Sequence, residues 1–324
     1  MTTALAPSRA RVLVALGAAG LAVLALSQAG RFGASWSEAL AAVRGLSWWW
    51  PPVFGAVWVA GLAVHTVLLT AALPGLTRRR ALILNVAGNA VANVLPLGGA
   101  AGTAVNYGMV RGWGHSSADY VRFAVVSKSC DFVAKLMLPL PAVGGLLAVG
   151  GLSPARGGWV LLAVAGAGAA VGVVVVLALL GRASRVLRAV PPRVGGSWAV
   201  GVAERTAGLV RRRWVALVVG LGGYLALQGV LLWLCFTAVG LHLPLPTTFA
   251  TLVALRLLAL LAITPAGVGF VEAGTITVLV ALRVDPTGAL AGLLLYRAFV
   301  LLAEVPAGGL TIAWWATTRR RTPR

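Results

Sequence analysis

The chain has 324 residues, of which 60% are hydrophobic and only 10% charged, with a mean hydropathy of +0.94. Soluble domains are about a quarter charged, so this composition excludes an ordinary water-soluble enzyme, a disordered chain and a secreted disulfide scaffold. The net charge of +20 does not point to nucleic acid: the basic residues fall in short clusters between apolar segments, where charges that orient a membrane protein sit.

The first apolar run covers residues 12–29 and follows Arg11. It exceeds the 7–15-residue core of a signal peptide and reads as a first membrane span. A second span covers residues 48–73, with Trp48, Trp49 and Trp50 as an interfacial belt. Thr77 and Arg78 to Arg80 mark a cytoplasmic turn. Residues 81–95 are apolar but reach only ~22 Å as a helix. They stop at Pro96, Leu97, Gly98 and Gly99, and a second short apolar run covers residues 100–109. Two half-length segments around a Pro/Gly break predict a re-entrant hairpin. A bilayer tolerates such a break only where protein or a water-filled cavity surrounds it.

Residues 119–151 predict one long helix that carries charges, and residues 157–180 another span. Residues 182–213 form a linker with eight arginines and one acid, Glu204. Its second half, 197–213, fits a helix lying on the membrane surface. Residues 214–239 span again. A second hairpin follows, with limbs at 248–263 and 271–282 around Thr264 to Gly269. The last span covers residues 288–315, and Arg319, Arg320 and Arg321 lie beyond it. The expected fold is all-α and polytopic: about six full spans plus two re-entrant hairpins in one domain. Its halves, about 10–181 and 214–316, flank the basic linker.

With both termini in the cytoplasm, nineteen of the 27 basic residues fall on that side. Arg31, Arg44, Arg156 and Arg283 fall outside, which satisfies the positive-inside rule. The first hairpin then opens from the cytoplasm and the second from outside. Similar text follows each. Pro96 with Gly98 and Gly99 is followed 45 residues on by Pro141, Gly144 and Gly145; Pro265 with Gly267 and Gly269 is followed 41 residues on by Pro306, Gly308 and Gly309. Opposite orientations make this an inverted repeat, the architecture of many secondary transporters. Chance similarity among 41 glycines is the competing explanation.

Charges inside a bilayer cost several kcal/mol each and mark function by default. Lys128, Asp131 and Lys135 lie at i, i+3 and i+7 on one helical face. Arg297 and Glu304 share the last span, Arg256 sits in the second hairpin's first limb, and Glu272 follows its break. Interhelical ion pairs among four cations and three carboxylates would leave one positive charge over. The only two lysines of the chain are Lys128 and Lys135. A compact ammonium there suits a phosphate contact or alternating pairing with Asp131. Asn85, Asn89 and Asn93 put three carboxamides on one face, which must meet protein or a wet cavity. Helix–helix hydrogen bonding explains them equally well. The hairpin breaks expose half-helix ends that suit an anion. Cys130 and Cys235 read as small buried residues, and His65, His115 and His242 form no ligand pair, so no metal or cofactor is expected. No GxxxxGK[ST] loop or long soluble segment is present to support ATP hydrolysis or glycosyl transfer.

The run from Asn85 to Gly99, the helix bearing Asp131, and Pro265-Ala-Gly-Val-Gly-Phe-Val-Glu272 followed by Tyr296-Arg297 resemble the lysylphosphatidylglycerol synthase transmembrane-region family, also called flippase-like or UPF0104. The likeness spans roughly residues 10–315. The family's P-x-G-x-G-x-x-E element falls on Pro265, Gly267, Gly269 and Glu272, its downstream arginine on Arg297, and its first Pro/Gly-Gly element on Pro96, Gly98 and Gly99. Ala100 and Ala101 stand where members often carry a charge, with Thr103 and Asn106 the nearest polar groups. Val271 stands where many carry a basic residue. The sequence contains no large aminoacyl-transfer domain, so the resemblance implies the lipid-translocating part without lysyl transfer.

The expected function is therefore non-enzymatic flipping of an anionic or phosphate-bearing lipid, a phospholipid or a polyprenyl-phosphate type. The candidate substrate site comprises Asn89, Asn93, Pro96, Gly98, Gly99, Lys128, Asp131, Lys135, Arg256, Pro265, Gly267, Gly269, Glu272, Arg297 and Glu304. Anionic head groups at the cytoplasmic face are expected partners of the arginine clusters. Two alternatives stand beside this reading: an accessory subunit for a lipid-modifying or lipid-glycosyl enzyme, and a proton-coupled transporter of a small anion.

Overall fold

The structure, a computed structural model, describes residues 33–95, 98–151, 166, 170, 196–261 and 265–320. The predicted span at 12–29 and Pro96 lie outside these residues, as does the span at 157–180 but for residues 166 and 170. The described residues are helical throughout, without a strand. Four described segments are long and apolar enough to cross a membrane: Trp50–Ala72, Ser117–Ala148, Gly208–Ala238 and Pro286–Thr318.

A short helix that the sequence reading passed over, α1 (Trp36–Arg44), is capped by Ser35 Oγ, which accepts from the Glu38 amide at 3.4 Å. Helix α2 (Trp50–Ala72) begins with Pro51 and Pro52, where a missing N–H costs nothing. The first hairpin is α3 (Arg78–Val94) and α4 (Gly98–Gly112), with Thr77 Oγ1 capping α3 through the Arg80 amide at 3.3 Å. Helix α5 (Ser117–Met137) starts in a reciprocal Ser116–Asp119 capping box. It meets α6 (Pro139–Ala148) at Leu138. The predicted continuous helix is thus two, because Pro139 removes one backbone donor from the ladder.

Helix α7 (Gly196–Ala238) corrects the sequence reading more substantially. Its 43 residues run unbroken through position 213, so the basic segment and the span after it are one rod of ~65 Å. No proline interrupts residues 197–238, and arginine and alanine are good helix formers. A separate surface helix at 197–213 is not present. The second hairpin is α8 (Leu245–Leu261), a 3₁₀ turn (Pro265–Gly267) and α9 (Phe270–Ala281). Helix α10 (Pro286–Arg320) contains Pro306, and Asp285 Oδ2 accepts from the Gly288 amide at its start, 2.6 Å away.

Helix α2 packs along α7, and α3 along α10. Glycine permits both approaches. A Cβ at Gly220 would lie 2.5 Å from the Leu68 nitrogen, and one at Gly308 would lie 2.1 Å from Ala90 Cβ. In a bilayer, close backbone packing of this kind replaces the hydrophobic effect as the force between helices. Two large apolar clusters form beside a smaller one of Ala142, Leu146, Ala250 and Val253. One gathers Phe54, Leu232, Phe236, Ile276 and Leu290; the other gathers Leu68, Leu84, Met109, Phe123 and Leu217. Both contain residues of α2 and α7, so they occupy different levels along the same helices. The guanidinium of Arg80 lies over the Trp113 ring at 5.4 Å, joining the two outer ends of the first hairpin. Leu241, just before the second hairpin, packs beside Gly288 of α10. The 3₁₀ turn of the second hairpin touches α3 of the first.

Candidate functional site

Between the two large clusters lies a polar cavity of about 350 Å³. Its wall draws on α2, α3, α4, α5, α7, α8 and α10. Helix α3 supplies Asn85, Asn89 and Asn93, whose spacing of four stacks them on one face. The limbs of the first hairpin approach closely behind this face. Asn106 of α4 sits over Gly88, where a Cβ would fall 2.5 Å from its Nδ2, and a Cβ at Gly102 would fall 2.5 Å from the Gly88 carbonyl oxygen. Asn93 Nδ2 donates to Glu304 Oε2 at 2.9 Å, and Asn89 Nδ2 donates to Oε1 at 3.5 Å. Glu304 is 4% exposed. Among the described residues it has no ion-pair partner.

The cations of the wall divide into two kinds. Arg297 is paired: its Nε donates to Glu272 Oε1 at 2.7 Å and its Nη2 to the Ala266 carbonyl at 2.5 Å. Lys128 and Arg256 line the cavity without a carboxylate partner among the described residues. Arg256 lies 5.7 Å from the centre of the Tyr224 ring. Tyr224 in turn stacks on His65 at 4.4 Å and accepts from Gln228 Nε2 at 2.9 Å, while the Tyr296 hydroxyl donates to Gln228 Oε1. Asp131 also reaches the wall but pairs with Lys135, Nζ to Oδ2 at 2.7 Å. Lys135 itself stands outside the wall. It shares the helical face of Lys128 and Asp131 but lies ~6 Å further along the axis from Asp131, and its side chain turns back to that carboxylate.

The second break is a clasp. Gly267 and Gly269 have positive φ of 72° and 87°, which glycine adopts without strain, and Ala266 joins them in the left-handed region at 51°. Glu272 Oε2 accepts from the Gly269 amide at 2.7 Å while Oε1 holds Arg297. The carboxylate therefore satisfies the first turn of α9 and ties it to α10. Pro265, Gly267, Gly269 and Glu272 shape this turn and are not in the cavity wall. Gly98 and Gly99 are not in the wall either. A Cβ at Gly98 would lie 2.2 Å from the Ala92 carbonyl oxygen, so that glycine serves the tight return of the chain.

Of the residues singled out in the sequence, the structure thus brings Asn89, Asn93, Lys128, Asp131, Arg256, Arg297 and Glu304 to one cavity. It adds His65, Thr103, Asn106, Tyr120, Ser127, Tyr224, Gln228 and Tyr296. A lone polar side chain within an apolar span, as at His65 and Gln228, was the available signal. On the opposite face of α5, Val126, Cys130, Val133 and Met137 form an almost wholly apolar groove of about 510 Å³ with Leu217, Leu221 and Leu225 of α7. Leu221 belongs to both the groove and the polar cavity. No cluster of three or more metal-binding side chains occurs among the described residues.

The family model described as Lysylphosphatidylglycerol synthase TM region matches residues 10–308. No curated protein matches the chain.

Proposed function

The chain belongs to the lysylphosphatidylglycerol synthase TM-region family, and from that premise we propose that this multi-pass membrane protein flips an anionic, phosphate-bearing lipid. The observation that carries the proposal is that Lys128 and Arg256, two cations without a carboxylate partner among the described residues, line one polar cavity at the level of the spans. Lys128 is exposed and Arg256 half-buried among the helices, and a cation at the level of the hydrocarbon without a carboxylate partner is costly. A phosphate between α5 and α8 offsets that cost. Lys128 offers a rotatable point charge and Arg256 a planar fork, both matched to phosphate oxygens. Arg297 adds positive field while staying fixed to Glu272.

The acyl chains need an apolar path beside the head group. The groove behind α5 supplies one, separated from the cavity by Leu221. That neighbouring groove favours a lipid over a free small anion. In this account the two hairpins open from opposite sides of the membrane as halves of an inverted repeat. The contact of the 3₁₀ turn of the second hairpin with α3 of the first brings the two breaks near one another, as this arrangement requires. Both termini lie in the cytoplasm, with Arg78, Arg79 and Arg80 at anionic head groups there. No bond is made or broken: the residues desolvate, hold and release the head group.

The test is lipid retention. The full chain is purified in mild detergent and its bound lipids are identified by native mass spectrometry, beside the Lys128→Gln/Arg256→Gln variant. The proposal expects one phosphate-bearing lipid class on the native chain and its loss from the variant. Equal retention by both would reject the cavity as the head-group site.

A further inference from the structure

Three acids lie in the apolar helices around the cavity, and two of them are held by a cation: Asp131 by Lys135 and Glu272 by Arg297. Glu304 differs. It is 4% exposed, and its oxygens accept from the neutral carboxamides of Asn93 and Asn89. The Trp58 indole of α2 faces the same carboxyl. The charged groups of the wall are Lys128 and Asp131 of α5, Arg256 of α8 and Arg297 of its own helix. None is within ion-pair distance of Glu304. The remaining titratable groups of the wall are His65 of α2, Tyr120 of α5, Tyr224 of α7 and Tyr296 of α10.

These partners suit an acid that changes state. A carboxamide NH2 donates to a carboxylate, and after a half-turn the carboxamide oxygen accepts from a carboxylic O–H. The partners of Glu272, a backbone amide and a guanidinium, can only donate. Arg256 is the cation whose field reaches Glu304, and it is also one of the two cations that would take the phosphate. A phosphate there occupies that guanidinium and adds a negative charge to the cavity, and both effects favour a proton on the acid. Resting on the lipid-flipping reading above, we propose that Glu304 is a proton site linked to the head-group site. It takes one proton from water as a phosphate binds Lys128 and Arg256, and returns it to water as the phosphate leaves. No bond of the lipid changes. A singly charged phosphate lipid then crosses together with a proton and moves no net charge, so a pH difference drives it toward the alkaline side.

The test is linkage on the purified full chain, with phosphatidylglycerol as the probe because its phosphodiester stays a monoanion. Affinity is measured between about pH 5 and pH 8, and proton uptake is followed in weak buffer. Linkage requires binding to tighten as pH falls, by up to about tenfold per pH unit for one proton per lipid. Glu304→Gln is expected to remove both the slope and the uptake; Glu304→Met is the second variant should the first not fold, with the same expectation. His65→Gln is expected to keep the slope. Binding that is lost in Lys128→Gln but is independent of pH and takes up no proton would overturn this inference and leave the flipping reading standing. A slope that survives Glu304→Gln, or vanishes with His65→Gln, would also overturn it. No binding of phosphatidylglycerol, or no effect of Lys128→Gln, would overturn both.

Discussion

The Arg297 guanidinium joins Glu272 at 2.7 Å and the Ala266 carbonyl at 2.5 Å, so one side chain of α10 fastens both sides of the second hairpin's break. The pair is nearly buried at the carboxylate end, with Glu272 at 3% exposure. Removing one partner of a buried ion pair costs about 3–5 kcal/mol. Glu272→Gln is therefore expected to abolish transport and also to lower the thermal unfolding temperature in detergent. The double variant Glu272→Gln/Arg297→Gln is expected to regain part of that stability without transport. An unfolding scan of the three proteins checks this; a Glu272→Gln protein as stable as the native chain contradicts the clasp.

Lys128 and Lys135 are expected to separate. Lys128→Gln breaks no ion pair, so stability stays within about 0.5 kcal/mol while binding of phosphate lipid falls about tenfold or more. Lys135→Gln removes the pair with Asp131, whose side chain is 38% exposed. A pair that open to its surroundings contributes about 0–1 kcal/mol, and lipid binding is expected to change little. Equilibrium binding to each variant decides it; equal losses would place both lysines in the site.

The sequence placed these two lysines together because it reads faces and not depth. Periodicity put Lys128, Asp131 and Lys135 on one side of α5, which holds, but it carries no information on where along the axis a cavity ends. The same applies to the hairpins. Pro96, Gly98 and Gly99 and the run from Pro265 to Gly269 announced the breaks, and the helices observed on either side of each break match the expected limbs to within a few residues. That the second break serves as a clasp depended on a contact across 25 residues between Glu272 and Arg297. His65 and Tyr224 were hidden because their stacking joins α2 to α7. The continuity of α7 was legible in the absence of proline, but the arginine cluster at 211–213 drew the boundary there instead.

Gly308 and Gly309 provide an internal control for helix approach. A Cβ at Gly308 would collide with Ala90 Cβ at 2.1 Å and with the Val86 carbonyl oxygen at 2.7 Å, whereas one at Gly309 meets nothing within 4 Å. Gly308→Val is expected to push α10 from α3, to disturb the Glu304–Asn93 contact and to destabilise the protein by about 1–3 kcal/mol. Gly309→Ala is expected to be neutral or to gain up to about 1 kcal/mol of helix propensity. Thermal unfolding of the two variants side by side checks the difference; equal destabilisation contradicts the packing.

Asn93 donates to a carboxylate that has no ion-pair partner among the described residues. Hydrogen bonds to charged groups contribute about 1.5–3 kcal/mol. Asn93→Leu is expected to destabilise the chain by about that amount, and pairing it with Glu304→Leu is expected to recover most of the loss, since the second change removes the stranded acid. A double-mutant cycle on unfolding free energy measures the coupling; additive losses would mean that the two side chains do not interact.

Translocation itself tests the central claim most directly. The full chain is reconstituted into liposomes containing a fluorescent phosphatidylglycerol, and movement between leaflets is followed by chemical quenching from outside. The account predicts that the native protein accelerates exchange well beyond protein-free vesicles and that Lys128→Gln/Arg256→Gln, folded and inserted equally, returns it to the protein-free rate. Exchange at the native rate in that variant would contradict the claim that these two cations carry the head group across.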